Sequence, residues 1–152
     1  MARYLAAAIL ITSGLVAGCL DNDGPDPGQQ IFEASLAQWN DLEPPNYDMV
    51  LRRQTISANP DLRVVISVRN GVVTSRIYQG TDIPVTGDAA AAFPDIDGLF
   101  AFLLEAMQGD PFLLSAQYDS DFGYPSSIVY DANAGQTSDN VNYTVEEFTP
   151  IE

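Results

Sequence analysis

Asp119 and Asp121, with Gly123 two residues further on, stand in the stretch YDSDFGYPSSIVYD (residues 118–131) at the spacing with which a calcium loop begins. An EF-hand loop needs oxygen ligands through its twelfth position, usually a bidentate glutamate, and lies between two helices. Counted from Asp119, that position is Tyr130. As a catalytic pair, the two aspartates are neighbours in a loop with nothing in sequence to split their pKa values. Asp and Ser start turns, Gly123 supplies a positive φ, and Pro125 opens a strand without a ladder donor. The stretch is therefore expected to be a turn between two strands. DANAG (residues 131–135) reads the same way.

The absences are as informative. The chain has no histidine and no lysine, and its only cysteine is Cys19. Ser-His and Cys-His dyads, imidazole metal ligands, Schiff bases and phosphate-loop lysines are all ruled out. One cysteine allows no intramolecular disulfide and no cysteine-built zinc site. No catalytic residue, no metal site and no cofactor is expected.

Charge is distributed unevenly. Five arginines (Arg52, Arg53, Arg63, Arg69 and Arg76) remain once Arg3 is assigned to a leader. Set against 21 acids, they leave the mature chain at −16. Such a surface repels nucleic acid and anionic lipid headgroups, so no nucleic-acid partner is expected. An acidic, lysine-free surface is also common in proteins of salty habitats. A hydrophobic content of 46% with 10% aromatics is enough to build a core, which argues against disorder.

MARYLAAAILITSGLVAGC opens with a positive end, continues as an apolar run and closes on small residues, the three-part layout of an export signal. The run is short of the roughly 20 apolar residues needed to span a bilayer. Val16-Ala17-Gly18-Cys19 resembles a bacterial lipobox. The resemblance implies diacylglyceryl transfer to the Cys19 thiol, cleavage before it, and acylation of the new amino group. Several acyl chains anchor a protein firmly where one binds marginally. Residue 20 is leucine, and by the enteric sorting rule the absence of aspartate there leans toward an outer membrane facing the periplasm, in a host that has one. Residues 1–18 are thus read as signal peptide and 19–30 as lipidated cysteine and tether, rich in Asp, Gly and Pro. Residues 31–152 are read as a single domain.

Within that domain Phe32, Leu36 and Trp39 recur at helical spacing from about Gln29 to Leu42, and Pro44-Pro45 stops the run. YDMVLRRQTIS alternates as a half-buried strand. In LRVVISVRNGVVTSRIY, Asn70-Gly71 is a two-residue hairpin turn. Counting outward pairs Val68 with Val73, Ile66 with Ser75 and Val64 with Ile77. That register places Arg63, Arg69 and Arg76 on the opposite face, beside Val65, Val72 and Tyr78. A loop over residues 80–94 leads to a second helix from Asp95, its N-cap, to Gln108, with Ile96, Leu99, Phe100, Leu103 and Met107 on its apolar face. Strands follow near 112–119, 127–131 and 141–148. The order α-β-β-β-α-β-β-β predicts an α+β fold, an antiparallel sheet of about six strands with two helices on one face.

Trp39, Tyr47, VISVRNG, IDGLFAFLLEA, YDSDFGYPSSIVYD and DNVNYTVEEF together resemble the domain of unknown function family 6174, over about Trp39 to Phe148. The Tyr-Asp…Gly-Tyr-Pro…Ile-x-x-Asp block is the most specific part. The resemblance implies small bacterial secreted or lipid-anchored proteins and brings no known activity. Many members have a Cys-x-Cys pair after the first strand, and the corresponding residues Thr55 to Ser57 hold none, so a redox or metal role for that pair is absent.

The expected function is a cell-envelope lipoprotein acting as a non-catalytic binding or assembly module, joined to the membrane through Cys19. An envelope protein or anionic glycan is its expected partner, on the stripe of Arg63, Arg69, Arg76 and Tyr78. Charge balance by acids such as Asp48 is the competing account of the stripe. The alternatives to the binding module are an envelope hydrolase using carboxylates alone and a calcium-stabilised, adhesin-like module.

Overall fold

The spacing of Phe32, Leu36 and Trp39 does produce a helix. In the computed structural model, which describes residues 26–55, 61–136 and 140–152, α1 spans Pro27–Leu42 and buries Phe32 and Trp39. It starts two residues before the expected point and takes in residues 27–30 of the segment read as tether. Proline at the start of a helix loses no bond, because its missing N–H has no intrahelical partner there. Cys19 and the leader lie outside the described residues.

Three strands follow, β1 (Tyr47–Thr55), β2 (Leu62–Arg69) and β3 (Val72–Tyr78). The segment read as a loop contains one helical turn, α2 (Asp88–Ala91), and then α3 (Ile96–Gln108) begins. Asp95 caps α3 as expected, its Oδ1 accepting from the Gly98 amide at 3.0 Å. The chain ends with β4 (Leu113–Tyr118), β5 (Pro125–Asp131) and β6 (Val141–Pro150). All six strands form one antiparallel sheet in the order β3-β2-β1-β6-β5-β4.

α1 and α3 lie on the same face of that sheet. Trp39 packs edge-on to Tyr47 and Phe148, and Phe100 of α3 stacks on Tyr118, with ring centroids 5.9 to 6.3 Å apart. Phe32 meets Phe100 between the helices. The core beneath them includes Met49, Leu51, Val64, Ile66 and Ile128, all at most 1% exposed. No charged residue among those described is buried.

The hairpin at Asn70-Gly71 forms as expected, both residues at positive φ (52° and 70°), but its register differs. Val68 pairs with Val73, then Ser67 pairs with Ser75, so Thr74 is a bulge whose hydroxyl donates to the Ser67 carbonyl at 3.1 Å. One extra residue exchanges the two faces for the rest of the strand. Ile66 therefore faces Arg76, not Ser75, and Val64 faces Tyr78, not Ile77. Arg76 and Tyr78 turn to the helix-covered side, away from Arg63 and Arg69. Arg76 Nε donates to the Phe93 carbonyl at 2.7 Å, and Tyr78 packs edge-on against the Phe93 ring. A single stripe of all three arginines does not exist. A second bulge, at Glu146 in β6, separates the pairs Val50–Glu147 and Leu51–Val145.

Candidate functional site

The acid pair that could have bound calcium is used as a turn. Asp119 Oδ1 accepts from the amides of Asp121 (3.0 Å) and Phe122 (2.8 Å), and the Asp119 amide donates to the Tyr124 carbonyl at 2.8 Å. Gln38 of α1 donates through Nε2 to the carbonyls of Ser120 (3.0 Å) and Asp121 (3.1 Å). These bonds engage Asp119 Oδ1 within the turn and the Ser120 and Asp121 carbonyls with α1. Among the described residues no three of His, Cys, Asp or Glu gather in one place. Beside the turn, burial pushes the Tyr124 phenol up to about 12, with the nearby Asp119 carboxylate adding to the effect.

The arginines left on the open face meet acids. Arg63 Nε donates to Glu146 at 2.8 Å, and Arg52 Nε to Asp61 at 2.6 Å. The bulge at Glu146 reaches toward both cations, lying 3.8 Å from Arg52. The hydrogen bond from Arg52 holds the Asp61 carboxyl below the usual range. Arg69 Nη2 lies 2.9 Å from Asp48 Oδ1 as an ion pair without hydrogen-bond alignment, and its Nη1 donates to the carbonyls of Tyr47 and Val68. Asp48 is the acid that the sequence offers for this role. Pairs this exposed are screened by water and add little to stability. Of the four residues read as a partner surface, only Arg63 and Arg69 lie on the open face.

A different surface stands open. Between the start of α1, the end of α3 and the edge strand β4 runs a groove of about 710 Å³. Ile31 and Phe32 line one wall, Leu103 and Leu104 the other, and Leu114 and Tyr118 the floor. Its rim carries Asp26, Glu33 and Asp110. Burial raises the Tyr118 phenol above its ordinary value, as expected of a ring seated against Phe100. None of these residues stood out as a site in sequence, because residues 26–33, 103–111 and 114–118 meet only in the fold. The available signal was the uncharged run from Pro111 to Tyr118 in so acidic a chain.

An antiparallel sheet clad by helices on one face, with an apolar groove at one edge, defines a small α+β domain. Sequence comparison places it further. The chain belongs to the family of unknown function DUF6174, which matches residues 32–150 and so takes in every strand and most of α1. No curated protein and no solved structure matches it.

Proposed function

We propose that this chain is a non-catalytic binding module held on the cell envelope by acyl groups on Cys19, with the groove beside β4 as its working surface. The groove itself carries the reading. It is concave, walled by apolar side chains and rimmed by a few charges, the general form of a binding site. Asp26, on its rim, follows Cys19 by seven residues. Fully extended, that length of chain reaches about 25 Å, so acyl groups on Cys19 keep the groove close to a bilayer surface. Arg63 and Arg69 suit a partner less well, since carboxylates already face both cations.

No observation favours the two alternatives. A carboxylate hydrolase needs acids set apart by environment, and the Asp61 carboxyl, held below its usual range, is held there by an arginine partner. A calcium-stabilised module would draw on the turn oxygens that Gln38 and the Asp121 and Phe122 amides engage.

Cys19→Ser tests the anchor. The variant is expected to move from the membrane to the soluble fraction, to lose incorporation of labelled fatty acid, and to escape cleavage by the lipoprotein route. A wild-type chain that takes up no label, with fractionation unchanged in the variant, contradicts the reading.

A further inference from the structure

The two edges of the sheet differ. Along β3 the outer edge is taken up by residues 83–85: the Tyr78 amide donates to Ile83 at 3.0 Å, the Val85 amide to Arg76 at 2.8 Å, and Ile77 bridges Pro84. Along the outer edge of β4 no segment among the described residues pairs. The Phe112 amide donates to the Ala132 carbonyl at 3.3 Å. Counting in twos from that bond, β4 is bonded to β5 at Leu114 and Ala116. Leu113, Ser115 and Gln117 therefore direct their N–H and C=O groups outward. Protein edges are usually blunted with charge or proline. β4 has neither, and Phe112 and Leu113 beside each other are 65% and 44% exposed.

The helix side of this edge is hollow. The 710 Å³ groove lies there, and a second hollow of about 400 Å³ opens inward of Leu113, over β5, β6 and the end of β1. A strand laid along β4 would point alternate side chains toward the groove, with its main chain bonded to the outward groups. Of the eight large hydrophobic residues exposed among those described, four are here: Ile31, Leu104, Phe112 and Leu113. Half of the large exposed apolar side chains thus gather about this one edge, on its two faces.

Charge selects the occupant. Asp26, Glu33 and Asp110 rim the groove, and residues 26–51 and 77–152 contain no lysine or arginine. A second copy would set two acidic rims against each other, which like-charge repulsion opposes. A basic segment would be drawn in. We infer that β4 takes up, as a seventh strand, an extended segment of another protein, apolar at alternate positions and flanked by lysine or arginine. The inference rests on the binding-module reading and names its class of partner.

The test uses the full chain in lipid nanodiscs and a synthetic peptide alternating valine and threonine between terminal lysines. Binding is expected to be saturable, to weaken with added salt, and to slow amide exchange at Leu113, Ser115 and Gln117. Ser115→Pro removes one outward N–H and no bond to β5. It should weaken binding about tenfold or more with little change in melting temperature. Leu104→Asp, at an exposed position across the groove, should weaken it too, as should terminal glutamates on the peptide. The inference is overturned by an absence of saturable binding, or by equal binding to both folded variants. It is also overturned if the outward amides are already protected in the dilute chain, which assigns the edge to residues 1–25, or become protected only on self-association, which assigns it to a second copy. If the peptide fails while Cys19 carries its label, the strand-addition claim falls and the anchor stands. If the label is missing while the peptide binds, the reverse holds.

Discussion

Trp39→Ala is expected to cost about 3–5 kcal/mol of folding stability, the range for removing a large aromatic from a packed core. For a domain of this size the melting temperature should fall by about 10–20 °C. Trp39 is fully buried, and its ring meets those of Tyr47, Tyr124 and Phe148. It thereby joins α1 to the two central strands and to the turn before β5. Its Nε1 donates to Asp97 Oδ1 at 2.9 Å in the first turn of α3, so one residue ties both helices to the sheet. Trp39→Phe keeps most of the apolar contact and loses that bond, and should cost roughly 1–2 kcal/mol. Thermal unfolding of the two variants checks the ordering. Equal losses would mean that the indole bond, and not ring burial, dominates at this position.

The second large effect is expected at Gly123. Its φ is +80°, and an added Cβ would come 2.6 Å from the Ser35 carbonyl oxygen and 3.0 Å from Gln38 Cβ. Gly80 has nearly the same φ, +76°, with nothing within 4 Å of an added Cβ. Gly80→Ala should therefore show the conformational cost alone, about 1 kcal/mol. Gly123→Ala carries that cost plus displacement of the turn from α1, about 3 kcal/mol in all. It should also release the Gln38 bonds to Ser120 and Asp121, visible as faster amide exchange in residues 119–124. Equal costs at the two glycines would show that the turn is not braced against α1.

Much of this fold was legible in the chain because its signals are local. The apolar stripes of α1 and α3, the Asp95 cap and the Asn70-Gly71 turn each depend on residues within a few positions of one another. The bulge at Thr74 leaves only a faint trace in sequence: Thr74-Ser75 places two polar residues in succession where strict alternation allows one. Counting past it in twos put Arg76 and Tyr78 on the wrong face. Glu146 is the same case, one of two adjacent glutamates that alternation could not assign to a face. The groove has no local trace beyond its uncharged strand, because Ile31, Leu104 and Leu114 meet only when α1, α3 and β4 are laid side by side. The acid pair at 119–121 illustrates the converse. Its spacing invited a metal, and the turn chemistry of Asp119 and Gly123 accounts for it without one.

The central claim is that an anchored domain works through the β4 edge, and hydrogen exchange over residues 112–118 tests it most directly. The acylated protein would be compared in its native envelope and in protein-free vesicles, at a density that keeps copies apart. Slow exchange of this segment in the envelope and fast exchange in vesicles is the predicted result, with residues 76–78 on the already covered β3 edge exchanging alike in both. Exchange over 112–118 at the same rate in the two membranes would contradict it.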